Sequence, residues 1–288
     1  MTPPRPRVGL VGGSGVYDLS AIEGMSERRL TTPFGDPSDS YFCGTLAGVP
    51  VAFLSRHGRG HRLMPGEINY RANVCGFKML GCDAILSASA CGSLQEEHPP
   101  RSAVVPDQFI DRTRHRADTF FGDGIVAHAA MADPVCAAVS RTLQESAQRA
   151  GLTARLGGTY VCMEGPQFST RAESTLYRSW GADVIGMTNF TEARLAREAE
   201  ICYASLALVT DYDCWHETEE DVSVEAIIAI LGENSAAARR ALAEAVRRID
   251  PARECGCRDA MRYAIITAAP AITPAARERL DPIVGRYL

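Results

Sequence analysis

The stretch Ile201-Cys202-Tyr203-Ala204-Ser205-Leu206-Ala207-Leu208-Val209-Thr210-Asp211-Tyr212-Asp213-Cys214-Trp215 decides the fold. Its apolar run continues through Val209 and reads as a strand. It ends in two carboxylates at alternate positions, which at strand spacing point the same way. Thr191 to Glu200, just upstream, reads as a short helix feeding the strand. A helix leading into such a strand is the unit of a layered α/β fold.

The same pattern extends in both directions. Val8 to Val11, Val49 to Leu54, Ala84 to Ala88, Ala103 to Val105, Gly158 to Met163 and Val184 to Met187 read as further strands. Asp133-Pro134 predicts a helix start, a cap followed by proline at the first position. Val135, Cys136, Val139 and Leu143 give that helix an apolar face, and Gly151 stops it. Ser169 to Glu173 opens another helix. Ser223 is expected to cap a long helix that ends before Pro251, with Gly232 as a break inside it. No repeat, low-complexity tract or linker divides the chain. The expectation is one α/β domain over residues 1–288, with a central mixed β-sheet flanked by helices and a flexible terminus over residues 1–7.

Composition narrows the function classes. A net charge of −5 gives no general nucleic-acid footprint, so any anion site must be local. No apolar run is long enough to span a bilayer, and the N-terminus carries no signal-peptide core. These features predict a cytoplasmic protein that binds neither membrane nor nucleic acid. Of the ten cysteines, Cys75, Cys82, Cys91, Cys162 and Cys202 sit in apolar segments, where a thiol packs as a small hydrophobe. Cys255-Gly256-Cys257 fits neither a zinc knuckle nor a redox CxxC, and no second Cys/His pair lies near it in the chain. No metal ligand is therefore assigned; solvated thiols and a local disulfide both fit this tripeptide.

Five strings carry candidate chemistry. Gly12-Gly13-Ser14-Gly15 follows the first strand; its N–H groups and the Ser14 hydroxyl suit an anion nest, but a plain turn fits as well. Ser55-Arg56-His57-Gly58-Arg59-Gly60-His61-Arg62 ends another strand with arginine forks matched to phosphate oxygens, or forms a solvated basic loop. Ser87-Ala88-Ser89-Ala90-Cys91-Gly92-Ser93 leaves room for a ligand beside hydroxyl and backbone donors, or for tight packing. Gly158 to Ser169 runs from a strand through Glu164-Gly165-Pro166 to the aromatic Phe168, a carboxylate beside a stacking face. Asp211 and Asp213 at a sheet's end need partners, which a purine offers at N7 and the 6-amino group, unless they are a helix cap and a surface acid. Held near apolar groups, such a pair has a raised pKa suited to a general acid.

Taken in order, these strings resemble the methylthioadenosine phosphorylase branch of the trimeric purine nucleoside phosphorylase family. Thr32-Pro33-Phe34-Gly35, Asp107-Gln108-Phe109-Ile110-Asp111-Arg112-Thr113, Arg171-Ala172-Glu173-Ser174 and Trp180-Gly181-Ala182-Asp183-Val184-Ile185 extend the match from Val8 to about Arg247. Ser14 and Ser89 stand where many relatives have threonine. Asn189-Phe190-Thr191-Glu192 depart from the form common in animal relatives. The resemblance implies phosphorolysis of a methylthioadenosine-like nucleoside, with inorganic phosphate as co-substrate and no cofactor. It implies a phosphate site of Ser14, Arg56, His57, Ser89, Ala90 and Thr188. Phe168 and Ser169 would take the base, Met187 the ribose, and Asp211 and Asp213 the purine edge as catalytic groups. Val224, Ile227 and Ile228 would receive the 5'-substituent. His128 would reach a neighbouring subunit's site, which implies a homotrimer or a hexamer built from it. Three other readings remain at this stage: a 6-oxopurine nucleoside phosphorylase, a water-using nucleosidase, and a non-catalytic nucleoside-binding protein.

Overall fold

The computed structural model describes residues 5–13, 19–217 and 223–288. In chain order the strands and helices are β1 (Val8–Gly12), β2 (Glu23–Arg28), β3 (Tyr41–Leu46), β4 (Val49–Ser55), α1 (Tyr70–Leu80), β5 (Ala84–Ser93), β6 (Ala103–Val105), β7 (Gln108–Arg112), α2 (Ala137–Arg149), β8 (Ala154–Leu156), β9 (Thr159–Met163), α3 (Arg171–Ser179), β10 (Val184–Gly186), α4 (Asn189–Glu198), β11 (Cys202–Asp211), α5 (Val224–Arg248) and α6 (Pro274–Val284). All these strands join one mixed sheet.

The sheet is organised around β1 and β5, which pair in parallel, with β4 on the other side of β1 and β11 parallel to β5. Such strands are buried on both faces, which explains the unbroken apolar runs in β1 and β11. Register aligns their carboxyl ends: Gly12 lies opposite Ser55 and Ala88, and Asp211 opposite Gly92. β5 is longer than the sequence predicts because it serves two neighbourhoods. Its first part pairs with β1 and β11; its last residues, Gly92 and Ser93, pair antiparallel with Ile185 and Val184 of β10. Ligand sites in open α/β sheets form at such strand ends.

Local chemistry explains the helix ends. The Asn69 side chain accepts from Ala72 N at 3.1 Å to start α1, and Gly81, at φ 97°, ends it in a conformation that favours glycine. Thr170 and Glu173 form a reciprocal capping box at α3. Three boundaries differ from expectation. The helix predicted from Asp133-Pro134 begins only at Ala137, with Cys136 as its cap residue, whose N–H is taken by Tyr203 O at 2.9 Å. Gly232 does not interrupt α5; a Cβ there would meet open space, so the helix runs through at only the intrinsic cost of glycine. Arg7, assigned to the flexible terminus, is tied in: its N–H donates to Pro50 O and its carbonyl accepts from Asp83 N, both at 2.9 Å.

Candidate active site

A cavity of about 630 Å³ opens at the carboxyl ends of β1, β4, β5 and β11. Gly13, Arg56, His57, Ser89, Ala90 and Thr188 stand on its wall. Ser14 lies outside the described residues.

Arg56 is one of the largest fully buried side chains. Its guanidinium is clasped by Glu192, through Nε to Oε1 and Nη2 to Oε2 (3.1 Å), and also donates to Ser87 Oγ (2.6 Å) and Ala88 O (3.3 Å). Burial opposes the charge, but the Glu192 carboxylate outweighs it and holds the Arg56 pKa above its ordinary value. Four of the five N–H groups are thereby used, leaving one on Nη1. Glu192 in turn accepts from Ser87 Oγ (2.9 Å) and Tyr203 Oη (2.8 Å). His57 is nearly buried, with Nδ1 at 2.8 Å from Leu63 O. Burial and the adjacent Arg56 charge lower its pKa to about 4. A neutral ring bound to a carbonyl carries its proton on Nδ1 and presents Nε2 as an acceptor.

Ser89 Oγ (2.9 Å) and Thr188 Oγ1 (3.0 Å) both donate to Asn189 Oδ1, while the Asn189 amide donates to Ser205 Oγ. The sequence marks residues 189–192 as a departure from animal relatives and starts a helix only at Thr191. They form the first turn of α4, and two of them, Asn189 and Glu192, set the hydroxyls and the arginine of the cavity wall.

The acidic pair is arranged differently from two residues on a strand. β11 ends at Asp211, and Asp213 lies in the following turn at φ 52°. Asp213 N donates to Asp211 Oδ1 at 2.8 Å, so the turn folds around the first carboxylate. Both residues face the cavity. Gly92 makes this possible: a Cβ there would come within 2.8 Å of Asp211 Oδ1. Burial raises the Asp211 pKa, against a 2.7 Å hydrogen bond from Thr210 Oγ1 and that from Asp213 N. Burial also raises Asp213, against the hydroxyls of Ser174 and Ser169. Asp213 Oδ2 is buried without a hydrogen-bond partner among the described residues.

Phe168, Met187, Val224, Ile227 and Ile228 complete the wall. Val224 and Ile228 are 55% and 64% exposed, which excludes a core-facing stripe as the reason for their spacing. Ser169 is not on the wall; it stands behind Asp213, with its carbonyl accepting from Cys214 Sγ. Glu164, flagged as a carboxylate for a nucleoside, is committed elsewhere: it accepts from Arg114 N, His115 N and Arg116 Nε. Arg116 escaped the sequence reading. Its buried guanidinium also donates to the carbonyls of Met163, Glu164 and Met187, fixing two methionines of the cavity wall. His128 is exposed and away from this cavity, with its N–H on Ala264 O at 2.9 Å.

The chain belongs to the Phosphorylase superfamily, whose family model matches residues 7–247. It is 58% identical to the S-methyl-5'-thioadenosine phosphorylase of Geobacter sulfurreducens, over 98% of this chain and 99% of that one. Among solved structures, a methylthioadenosine phosphorylase from an antarctic soil metagenomic library is similar at a TM-score of 0.92 and 46% identity, covering 98% of this chain and all of that one. A methylthioadenosine phosphorylase from Schistosoma mansoni in complex with adenine is similar at a TM-score of 0.84 and 38% identity, over 89% and 96% of the two chains. The family and fold expected from the ordered strings are borne out.

Proposed function

We propose that the protein cleaves S-methyl-5'-thioadenosine with inorganic phosphate, giving adenine and 5-methylthioribose 1-phosphate. The observation that carries this reading is the joining, in one cavity, of an anion-suited wall, a buried acidic pair and an exposed apolar helix turn. The relatives at high identity bear the corresponding name.

In this reading a phosphate oxygen attacks C1' as the C1'–N9 bond breaks, and the bonding pair leaves with the purine. The remaining Arg56 N–H, the Ser89 and Thr188 hydroxyls, Ala90 N–H, His57 and Ser14 hold the phosphate. The two hydroxyls rotate from Asn189 toward the anion. Asp211, its pKa raised by burial, gives a proton or an acid hydrogen bond to N7. The orphaned Asp213 Oδ2 accepts from the 6-amino group, a role that a 6-oxopurine cannot satisfy. Phe168 lies on the base and Met187 under the ribose, while Val224, Ile227 and Ile228 surround the methylthio group. Ser169 supports the base site through Asp213. Positioning and electrostatics supply the rate, with no organic cofactor or catalytic metal.

The proposal includes a cytoplasmic homotrimer, alone or paired as a hexamer. Support comes from His128, whose place outside its own chain's cavity suits service to a neighbour, and from cysteines that are all unbridged. Among the described residues no helix is long and apolar enough to cross a membrane. Adenine release from methylthioadenosine, followed with and without phosphate, tests the reaction. Equal rates without phosphate would reject phosphorolysis, and sedimentation as a monomer would reject the assembly.

A further inference from the structure

The tripeptide Cys255-Gly256-Cys257 acquires partners that its sequence neighbours do not offer. Cys136, at the cap of α2, and Cys202, at the start of β11, meet it in space, and all four Sγ atoms lie within 4.8 Å of one another. Cys202 Sγ and Cys255 Sγ are 3.4 Å apart. Cys136, Cys202 and Cys257 are buried and Cys255 is half-buried.

From these sulfurs we infer a structural zinc site. Zn²⁺ bound by four thiolates has Zn–S bonds of about 2.3 Å in a tetrahedron, which places the sulfurs about 3.8 Å apart. No pair in the cluster exceeds that spacing by more than about an ångström, and Cys202 and Cys255 fall just short of it. Two disulfides would need only two short separations, whereas here the proximity is mutual among all four. The surroundings match the charge such a site would carry. Four thiolates and one divalent ion leave two negative charges. Arg253 Nε donates to Cys202 Sγ at 3.3 Å, and Arg197 Nη1 to Cys257 Sγ at 3.8 Å. Guanidinium donors on the sulfurs are the outer-layer hydrogen bonds that thiolate sites use. Arg253 is shared with Asp83, 3.2 Å from its Nη2. Among the described residues no carboxylate or histidine joins the sulfurs. Soft thiolates in a closed tetrahedron select zinc and leave no open position for substrate.

The site would pin the chain after α5 to the first residues of α2 and β11. It lies at the opposite end of β11 from Asp211, nine residues along the strand and so roughly 30 Å away. Its role is therefore stability of the C-terminal segment rather than chemistry.

The test uses the full-length protein, purified reduced and anaerobically, equilibrated with Zn²⁺ and then passed over a weak chelator. The expected result is one zinc per chain, released stoichiometrically when thiols are blocked. Co²⁺ in its place should give the intense visible bands of tetrahedral cobalt–thiolate. Cys202→Ser and Cys257→Ser should lose the ion and the bands, while Cys75→Ala, a buried cysteine outside the cluster, should keep both. Removing zinc from the wild type should lower its melting temperature and leave kcat unchanged. Wild type that retains no zinc and gives no cobalt–thiolate spectrum overturns the inference even if the variants fail to fold. An intact mass showing disulfides among these four residues in the anaerobic protein also overturns it.

Discussion

The guanidinium of Arg56 is held by the carboxylate of Glu192, 136 residues further along the chain, and both are almost wholly buried. The cation at the cavity wall is therefore already neutralised before any anion arrives. Removing one partner of such a pair costs roughly 3–5 kcal/mol. Glu192→Gln, which keeps an acceptor but drops the charge, should destabilise the empty protein by less than that and leave Arg56 short of a counterion. Phosphate should then raise the melting temperature of the variant more than that of the wild type. Equal or weaker protection by phosphate would show that Arg56 does not face the anion.

In the proposed site His57 gives phosphate binding a pH dependence. In the empty site its pKa is lowered to about 4, chiefly by burial and then by Arg56. A bound anion favours the protonated ring, so binding takes up a proton and weakens as pH rises. The KM for phosphate should increase from about pH 4 upward, until the ring in the occupied site has lost its proton, more steeply in wild type than in His57→Gln. Phosphate's own ionisation is common to both, so parallel profiles would remove His57 from the linkage.

In the proposed reaction Asp211 and Asp213 divide the work on the base. Asp211→Ala should lower kcat for any purine nucleoside by roughly 10²–10⁴-fold, the usual range for a general acid. Asp213→Asn supplies a donor where an acceptor stood, and should improve methylthioinosine relative to methylthioadenosine. Steady-state kinetics on both nucleosides decides this. Wild-type kcat/KM on methylthioadenosine in both variants would detach the pair from the reaction.

The exposed Val224 and Ile228 should make methylthioadenosine a better substrate than adenosine. One thioether in place of a hydroxyl in a dry pocket is worth about 1–3 kcal/mol in kcat/KM. Ile228→Asn should shrink that preference. A wild type that favours adenosine contradicts the apolar pocket.

Glu198 sets a stability window. Burial raises its pKa to about 7, against hydrogen bonds from Phe120 N and Thr119 Oγ1. A carboxyl raised in the folded state contributes stability that is complete below its unfolded value and is lost as pH rises through 7. The loss is on the order of 3 kcal/mol. Melting curves from pH 5 to 8 should therefore move in favour of Glu198→Gln relative to wild type as pH rises. A difference that stays constant across that range counts against the assignment.

What was legible in the sequence was what lies close together in the chain. Continuous apolar runs reveal β1, β4 and β11, and glycines and polar residues at their ends reveal the site, because a parallel sheet concentrates both signals at one edge. β2 escaped because its residues are mostly exposed and carry no apolar period. α1 escaped because eight of its eleven residues are buried, leaving only a narrow polar face. The Arg56–Glu192 pair, the wall-fixing Arg116 and the four-sulfur cluster depend on separations that no local pattern encodes. Asp213 lines the cavity by a different route from the one its spacing suggests: a left-handed turn, not strand alternation, brings it beside Asp211.

β5 acts as a ruler. Ala90, at the anion-suited wall, and Gly92, against which Asp211 packs, are two residues apart on the same strand. That span is about 6.6 Å, set by covalent geometry, with β11 paired alongside it and β10 joining on the other side at Gly92. In the proposed reaction the interval between the incoming nucleophile and the departing base is thus written into main chain, not side chain. Substitutions can retune what the two ends recognise, yet none can rescale the distance between them. An inserted residue would do so only by turning every following side chain of β5 to the wrong face.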